Sequence, residues 1–557
     1  MREEKQPRLL TDLLERNAAR YADETALVEL NPIHDDAKNL AWKDYALVET
    51  GHSAHYRSEL TWKEFDDQAN RFANMLTDMG VKRGDKVAIL LMNCLDWLPI
   101  YFGTLKTGAL AVPLNFRYTS EEIAYCIELA DVSVLVFASE FRGRVESVRG
   151  ELRGIRDYIY VGMDPPETAK SFESEVKGYP ADRPQIAETI EPEDDGAIYF
   201  SSGTTGFPKA ILHSHASLFS AAETEWRHHG QRHEDVFLLI PPLYHTGAKM
   251  HWFGSLMAGG KSILLKGTDP GWVLHTAAAE KASIVWLLVP WARDILDYIE
   301  EKGDEIKGLD LSNWRLMHIG AQPVPPSLIK RWKRHFPRHD YDTNYGLSES
   351  IGPGCVHLGT ENLHKVGAIG KAGYGWQTRI VGENGADAEP GEVGELIVKG
   401  PGVMREYYRN PAATAESLKD GWLYTGDMAR EDADGFIFLV DRKKDVVITG
   451  GENIYPVQVE DFLNGFEKVK DVAVIGVPDE RLGEIAVAII EPKPGQSTPE
   501  AALEKEILAY LEDLPRYKRP RKIIFGQVPR NATGKIEKPK LREKYSVGSV
   551  VAKQVAE

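Results

Sequence analysis

The chain has 557 residues, which at about 100–200 residues per domain predicts roughly three to five folding units. It carries 67 Lys and Arg against 84 Asp and Glu, a formal net charge of −17 with histidine neutral. That balance argues against a protein that grips nucleic acid or an anionic membrane across its whole face. A hydrophobic content of 43% with 27% charged residues is typical of a globular protein.

The cysteines and the apolar segments indicate the compartment. Cys94, Cys126 and Cys355 are odd in number and scattered, so neither a disulfide framework nor a zinc ribbon is expected. The N-terminal MREEKQPRLL lacks the apolar stretch of a signal peptide. Two charged residues and two prolines interrupt the most apolar segment, residues 87–116, which argues against a membrane span. We therefore expect a cytoplasmic protein in a reducing environment.

The first third of the chain alternates helix and strand signals. A capping box that begins at Thr61 predicts a helix that Gly80 ends, and the apolar residues 86–92 predict a buried strand. Residues 119–130 form a second capped helical pattern, and the strand-like residues 132–137 follow directly. This alternation predicts an α/β protein whose mainly parallel sheets are flanked by helices.

Three later changes of pattern predict the domain organisation. Residues 31–58 contain three histidines at a spacing poor for metal binding, and they predict a surface hairpin. Short strands with glycine turns over about residues 358–440 predict a β subdomain. The charged segment 441–445 then marks a boundary between a large N-terminal domain, residues 1–441, and a small α+β C-terminal domain, residues 445–557.

A polar, glycine-containing segment after the predicted strand 196–200 is the sharpest local motif. Four hydroxyl residues, two glycines and a lysine suit a polyphosphate, because glycines admit backbone N–H groups while lysine adds charge. A Walker A loop needs Gly before its Lys and Ser or Thr after it, whereas Pro208 and Ala210 stand there. The residues of this candidate loop are Ser201, Ser202, Gly203, Thr204, Thr205, Gly206 and Lys209.

This loop resembles the phosphate loop of the adenylate-forming (AMP-dependent) acyl-CoA synthetase superfamily, which includes acyl-CoA synthetases and coumarate–CoA ligase. The resemblance covers nearly the whole chain, because further motifs follow in the family's order. They are PLYH at 242–245, GAQ at 320–322, YGLSE at 345–349, YTGD at 424–427, DRKK at 441–444, GGEN at 450–453 and PRNATGKI at 529–536. Ala210, Ser348 and Gln322 depart from the commoner family residues, and Gln322 alters the polarity expected of the acyl pocket.

The resemblance implies an AMP-forming acid–CoA ligase. A carboxylate attacks the α-phosphorus of ATP to give an acyl-adenylate and pyrophosphate, and the thiol of CoA then displaces AMP. It also implies that the small C-terminal domain is mobile and rotates about a hinge at residues 442–444, with Lys444 as the hinge residue. The expected co-substrates and cofactors are ATP, CoA and Mg²⁺.

Residue roles for the nucleotide follow from the matching motif positions. Lys535 is expected to bridge the substrate carboxylate and the α-phosphate, while Glu349 and Thr204 are expected to hold Mg²⁺. Asp427 is expected to accept hydrogen bonds from the ribose hydroxyls, and Tyr345 to stack on adenine. The complete set expected to bind ATP or AMP is Ser201, Ser202, Gly203, Thr204, Thr205, Lys209, Gly320, Ala321, Gln322, Asn344, Tyr345, Gly346, Ser348, Asp427, Arg442 and Asn453.

The acid and CoA sites are expected from the same positions. His245 resembles a gate beside the substrate carboxylate and is expected to act in catalysis together with Lys535 and Glu349. Lys443, Gly450 and Gly451 are expected at the CoA site. The acyl pocket is expected to comprise Trp226, His245, Thr246, Trp252, Gly320, Ile351 and Gly352. Its large apolar side chains favour a medium-chain, alicyclic or aromatic carboxylic acid.

Two other function classes remain open at this point. A loader of carrier proteins shares the first half-reaction, although only about a dozen residues follow position 544 and no carrier module is expected there. A luciferase-like oxygenase shares that half-reaction too, and a non-catalytic nucleotide-binding protein is the alternative from a different class. The basic run 516–522 is interpreted as solvated surface, so no nucleic-acid partner is expected, and the expected partners are ATP, CoA and a small carboxylic acid.

Overall fold

The computed structural model describes residues 8–31, 56–201, 208–303, 306–320, 324–450, 452–479, 481–495, 498–530 and 536–545. Most of the expected surface hairpin at 31–58 therefore lies outside the described residues. The strands, in chain order, are β1 (Thr25–Leu30), β2 (Arg57–Thr61), β3 (Lys86–Leu90), β4 (Leu110–Pro113), β5 (Val134–Ala138), β6 (Asp157–Val161), β7 (Lys170–Ser171), β8 (Asp195–Phe200), β9 (Ala210–Ser214), β10 (Val236–Leu239), β11 (Lys261–Leu265), β12 (Ile284–Leu288), β13 (Leu316–Gly320), β14 (Asp340–Asp342), β15 (Asn344–Leu347), β16 (Gly352–His357), β17 (Lys371–Ala372), β18 (Gln377–Val381), β19 (Gly394–Lys399), β20 (Glu406–Tyr407), β21 (Leu418–Lys419), β22 (Trp422–Glu431), β23 (Ile437–Arg442), β24 (Val447–Thr449), β25 (Glu452–Ile454), β26 (Val469–Asp479), β27 (Gly483–Pro492) and β28 (Lys522–Phe525).

The helices form where the local sequence provides caps and an apolar face. The predicted helix after Thr61 is α2, and the Thr61 hydroxyl accepts from the Glu64 N–H while the Glu64 carboxylate accepts from the Thr61 N–H. The same reciprocal cap begins α4 at Thr119. The helices are α1 (Leu10–Arg20), α2 (Trp62–Asp78), α3 (Trp97–Lys106), α4 (Ser120–Leu129), α5 (Arg142–Val148), α6 (Phe172–Glu175), α7 (His215–His228), α8 (Thr246–Ala258), α9 (Pro270–Ala279), α10 (Val289–Lys302), α11 (Pro326–His335), α12 (Pro411–Ser417), α13 (Pro456–Asn464), α14 (Glu500–Tyr510) and α15 (Lys538–Tyr545).

Two large sheets form the centre of the N-terminal part. The first has the strand order β14-β13-β12-β10-β11-β1-β2, parallel except for the β1–β2 pair. The second has the order β20-β9-β8-β4-β3-β5-β6-β7, parallel except where β9 pairs with β8 and with β20. The predicted α/β class with mainly parallel sheets is confirmed.

Helices fill the space between the two sheets. Helices α2 and α8 pack on strands of the first sheet, α3 and α7 pack on strands of the second, and the pairs α2–α3 and α7–α8 pack against each other. A continuous buried core joins both sheets through these helices. Each strand is therefore covered by apolar side chains, as parallel sheets require.

Smaller, mainly antiparallel sheets follow, with β27 and β28 the parallel pair among them. Strands β15, β16 and β17 form one sheet, and β18, β19, β22, β21 and β23 form another around a separate apolar core. Strands β24 to β28 belong to a last sheet whose two core clusters contain only residues from Val447 onwards. These last two clusters share no residue with the core of the two large sheets, and β23 ends at Arg442, within the segment where the domain boundary is predicted.

The structure also shows the state of the cysteines and the length of the helices. All three cysteines are buried and free. Among the described residues, no helix is both long and apolar enough to cross a membrane.

Candidate active site

The ends of the candidate phosphate loop are held by a β-hairpin. Ser201 donates its N–H to the Lys209 carbonyl at 3.0 Å, and the Lys209 N–H returns a bond to the Ser201 hydroxyl at 3.1 Å. These residues directly follow β8 and precede β9, which pair antiparallel. The chain thus leaves the sheet at the end of β8 and returns to it at the start of β9, at the same end of this strand pair. The loop residues Ser202, Gly203, Thr204, Thr205 and Gly206 lie outside the described residues.

A tyrosine joins this lysine to the candidate metal carboxylate. The Lys209 ammonium lies 4.6 Å from the centre of the Tyr407 ring. The Tyr407 hydroxyl donates to Oε1 of Glu349 at 2.8 Å. Burial and the neighbouring carboxylate raise the pKa of Tyr407, so its hydroxyl remains a donor. The motifs did not indicate Tyr407, because this residue reaches the site only through the pairing of β20 with β9.

The turn that carries Glu349 makes hydrogen bonds to two other elements, α8 and β9. The Ser348 hydroxyl lies 3.1 Å from the Thr246 hydroxyl at the start of α8. Its carbonyl accepts from Nε2 of His213 in β9 at 2.8 Å. Burial lowers the pKa of His213 to about 4, so the ring is neutral and donates this one proton. His213 is a second residue that the motifs did not indicate.

His245 begins helix α8. Its Nδ1 accepts from the Gly247 N–H at 3.1 Å, so the imidazole caps the helix in the way that Asn or Asp commonly does. In the neutral ring this contact leaves the proton on Nε2. His245 therefore has a structural role as a cap in addition to the role expected at the substrate carboxylate.

The backbone after Glu349 is strained and closely packed. Ile351 adopts φ +57°, which is rare for a β-branched residue, and Gly352 follows at φ +95°. A Cβ on Gly352 would lie 3.0 Å from Cγ of Met250 on α8. Thr246 also lines this contact. The glycine thus lets β16 approach α8 at the position where the acyl pocket is expected.

The candidate ribose carboxylate is engaged on both oxygens. Tyr345 donates its hydroxyl to Oδ2 of Asp427 at 2.6 Å, and Nε of Arg442 lies 3.3 Å from Oδ1. Asp427 and Arg442 stand opposite each other in β22 and β23. The carboxylate raises the pKa of Arg442, and burial together with Asp427 raises that of Tyr345. Asp427 is buried rather than placed in a fully open cleft.

Gly320, Asn344 and Gly346 lie where the first sheet meets β15. A Cβ on Gly320 would approach the Asn344 carbonyl at 3.8 Å. The Asn344 side-chain amide donates to Oε1 of Glu225 on α7 at 2.9 Å, so this side chain points into the interior. Gly346 is half-buried and pairs with Pro353 of β16. Ala321 and Gln322 lie outside the described residues.

The structure shows the surroundings of two tryptophans expected in the acyl pocket, and their place in that pocket stays a prediction. Trp226 is 36% exposed on α7 beside the Arg227 guanidinium. Trp252 is fully buried and packs against Phe65 and Phe102 of α2 and α3. On α8 it projects about 160° away from Met250 at 100° per residue, so the two side chains occupy different faces.

The residues expected at the hinge and the CoA site follow β23. Lys443 donates its N–H to the Gly426 carbonyl, and its ammonium pairs with Glu395 at 3.0 Å. Lys444 is exposed within a turn that the Asp445 N–H closes on the Arg442 carbonyl.

The GGEN motif forms a separate hairpin. Gly450 has φ +57° at the turn between β24 and β25, and Asn453 is exposed on β25. A turn with positive φ suits glycine irrespective of any ligand. Gly451 and Lys535 lie outside the described residues, so their expected roles remain predictions.

Comparison with known proteins gives consistent matches over both parts of the chain. The AMP-binding enzyme family matches residues 14–408, and the AMP-binding enzyme C-terminal domain matches residues 458–535. The long-chain-fatty-acid–CoA ligase FadD13 of Mycobacterium tuberculosis is 32% identical over 498 residues, covering 87% of this chain and 93% of that protein. A feruloyl-CoA synthase of an Amycolatopsis species is 32% identical over 496 residues, covering 88% and 95%. The crystal structure of the anthranilate CoA ligase AuaEII with anthranoyl-AMP superposes with a TM-score of 0.85 at 26% identity, covering 99% and 100%.

Proposed function

The chain belongs to the AMP-binding enzyme family and is an AMP-forming acyl-CoA synthetase, and from this premise we propose that it activates a medium-chain, alicyclic or aromatic carboxylic acid. ATP, the acid and CoA are converted to acyl-CoA, AMP and pyrophosphate through an acyl-adenylate. The observation that carries the proposal is the contact chain from Lys209 through Tyr407 to Glu349. It connects the Lys209 ammonium of the phosphate loop to the Glu349 carboxylate, which lies about 140 residues later in the sequence.

Adenylation depends mainly on positioning and on neutralising charge where the carboxylate meets the α-phosphate. Lys209 and Lys535 supply positive charge, and the hydroxyls of the loop residues donate hydrogen bonds to phosphate oxygens. Glu349 fits Mg²⁺ because a carboxylate is a hard oxygen ligand and Tyr407 engages only Oε1. With Thr204 it would hold the ion, which when bound neutralises phosphate charge.

The nucleoside is held by Asp427, Tyr345 and Arg442. The carboxylate accepts the ribose hydroxyls, and its bonds to Tyr345 and Arg442 fix its orientation before ATP arrives. Gly320, Asn344, Gly346 and Ser348, together with Ala321 and Gln322, form the adenine and phosphate surroundings.

The acyl pocket lies beside the start of α8, bounded by His245, Thr246, Gly320, Ile351 and Gly352. Relatives that ligate long-chain fatty acids and ferulate support both aliphatic and aromatic candidates. The assay that discriminates them is AMP formation with acetate, hexanoate, decanoate, benzoate and cyclohexanecarboxylate. Acetate as the best substrate by kcat/KM would contradict the proposed acid class.

For the second half-reaction the C-terminal domain, residues 445–557, turns about Lys444. Lys443, Gly450 and Gly451 then meet CoA, and Asn453 contacts the nucleotide. The separate apolar cores on either side of the turn at residues 442–445 support this division, because few apolar contacts would be lost on rotation.

Separating the half-reactions tests the catalytic assignment. Lys535→Ala should slow acid-dependent pyrophosphate exchange by orders of magnitude, because its charge is needed only where the carboxylate attacks ATP. Thioester formation from supplied acyl-AMP and CoA should persist. Lys540→Ala is the control, since Lys540 lies exposed on α15 and pairs with Glu537. Equal loss of both half-reactions in a folded Lys535→Ala protein would refute the assignment.

A further inference from the structure

A cluster of buried histidines lies where α7, α8, β13 and β16 come together. His229 follows α7, His251 lies on α8, His318 on β13 and His357 on β16, and all four side chains are at most 1% exposed. Nε2 of His229 lies 2.9 Å from Nδ1 of His318. One coordinating atom from each of His229, His251 and His318 falls within 4.8 Å of the others.

Two fully buried carboxylates accompany the histidines. Oε2 of Glu225 lies 2.8 Å from Nδ1 of His251 and 3.3 Å from Nδ1 of His229. Oδ2 of Asp342 lies 3.2 Å from Nε2 of His357 and 3.7 Å from Nε2 of His229. In the part of the chain that the structure describes, neither carboxylate pairs with a lysine or arginine. Both carboxylates therefore face imidazoles, in the position from which a carboxylate orients a metal-binding histidine or itself acts as a ligand.

Several polar atoms of the cluster make no hydrogen bond of good geometry, even where another polar atom is close. They are Nε2 of His318, both ring nitrogens of His357 and Oδ2 of Asp342. Buried polar atoms are rarely left unpaired, because each one costs about 1–3 kcal/mol. Asp342 and His357 lie against His229, so a ligand bound at the centre of the cluster would engage their free polar atoms.

We propose that His229, His251 and His318 bind one first-row transition-metal dication, with zinc as the ion that best suits three imidazoles. Imidazole nitrogen is a preferred ligand of zinc, and bonds of about 2.0–2.1 Å in a tetrahedral arrangement separate two ligand nitrogens by about 3.3 Å. The present spacings require shifts of only a few tenths of an ångström for the closest pair. Asp342 lies near enough to His229 to complete the coordination or to orient a fourth ligand.

The surroundings prepare the histidines as ligands. Glu225 engages Nδ1 of His251, which leaves Nε2 of that ring to coordinate, as in the carboxylate–histidine–metal arrangement of many zinc proteins. An ion bound here would connect α7, α8 and β13. It would lie close to Asn344, because the Asn344 side chain donates a hydrogen bond to Glu225.

Metal analysis of the intact protein tests this proposal directly. The chain should be expressed in zinc-supplemented medium, purified without chelator or metal-affinity resin, and analysed by inductively coupled plasma mass spectrometry. We expect about one zinc per chain and a higher Tm than that of protein depleted with a chelator under mildly destabilising conditions. Less than a tenth of an equivalent, with no change of Tm on adding zinc, would show that water or hydrogen bonds alone fill the cluster and would overturn the proposal.

Variants identify the ligands. His251→Gln and His318→Gln should each lose the ion, and Glu225→Gln should weaken its affinity by about 10–100-fold. His215→Gln is the matched control, because His215 is equally buried but lies outside the cluster, and it should retain the full equivalent. Loss of zinc in His357→Gln with retention in His251→Gln would overturn the three-histidine assignment.

A spectroscopic measurement on the wild type covers the case in which the ligand variants do not fold. Zinc-edge X-ray absorption should show about three imidazoles at 2.0–2.1 Å. A shell of oxygen ligands without imidazole scattering would assign the ion to an adventitious surface position and would refute the site.

Discussion

Tyr407 connects two charged groups that lie far apart in the chain, and its hydroxyl is the atom to remove. Tyr407→Phe keeps the ring beneath Lys209 but deletes the bond to Glu349. A hydrogen bond to a charged group is worth about 1.5–3 kcal/mol, so adenylation measured by pyrophosphate exchange should slow by about 10-fold or more. Tyr408→Phe is the control, because Tyr408 bonds to Asp131 at an exposed position. Equal rates of pyrophosphate exchange in the two variants would show that the Tyr407 hydroxyl has no role in the site.

Asp427 offers a second test at the level of a single side chain. Asp427→Asn keeps the shape but loses the charge shared with Arg442 and the ribose, so the KM for ATP should rise by about 10–100-fold. The KM for supplied acyl-AMP should rise as well, since both half-reactions hold the same ribose. Asp387→Asn removes an exposed pair with Arg379 and should leave both constants unchanged. A normal KM for ATP in folded Asp427→Asn would exclude the ribose role.

Sequence alone indicated most of these residues by their motifs but not their partners. The carboxylates Glu349 and Asp427 stand in short recognisable segments, whereas Tyr407 and His213 reach them through strand pairing that no local pattern encodes. The contacts of Trp252 were not predictable from its motif position either. The rotation of 100° per residue along α8 turns this ring toward α2 and α3.

At the level of the element, the contact between β16 and α8 depends on the absence of a side chain at position 352. Gly352→Ala places a methyl group 3.0 Å from Met250 and forces alanine into φ +95°. We expect a lower Tm and a raised KM for the acid, with the KM for ATP little changed. Gly385→Ala also has positive φ, at +76°, but nothing lies within 4 Å of its Cβ.

The difference in Tm between the two glycine variants isolates the steric part of the cost. Overpacking typically adds about 1–3 kcal/mol to the strain that both variants share. Equal losses of Tm would mean that β16 and α8 separate freely, and the acyl pocket would then not be bounded by this contact.

The elements themselves were the most predictable feature. Helices α2 and α4 were expected because the residues of their caps and of their apolar faces lie close together in the sequence. The strand order of the two sheets was not, because parallel neighbours such as β10 and β11 are joined by a helix and β1 pairs with β11 across more than 200 residues. Long-range pairing is selected by packing of the whole core.

At the level of the whole molecule, buried neutral histidines predict instability in acid. Burial lowers the pKa values of His213, His215 and His339 to about 4, below the 6.5 of an unfolded chain. The unfolded state therefore binds more protons than the folded state below pH 6.5. Stability is fully present above that pH and is lost as the pH falls toward 4, by roughly 1 kcal/mol per histidine at pH 5.5.

Calorimetry at pH 7.5, 6.5, 5.5 and 4.5 at constant ionic strength measures this loss. The fall in Tm should steepen below pH 6.5, and His339→Phe should make it shallower, since an aromatic ring can replace the stacking on Phe336 without titrating. His364→Gln changes an exposed histidine and should leave the slope as it is. A slope unchanged by His339→Phe would show that this histidine does not couple protons to unfolding.

Strands β8 and β9 are antiparallel neighbours, so the backbone ladder fixes where the chain departs at Ser201 and where it returns at Lys209. The number of residues between these anchors does not set the position of the sheet. Lengthening a loop costs little closure entropy, about 0.6 kcal/mol for each doubling. In a strand–loop–helix phosphate site the length of the loop is more restricted, because the loop must place the helix N-terminus next to the anion. Insertions and deletions between Ser201 and Lys209 can therefore change, in evolution, how the loop contacts the nucleotide. They do so without changing the fold of the core.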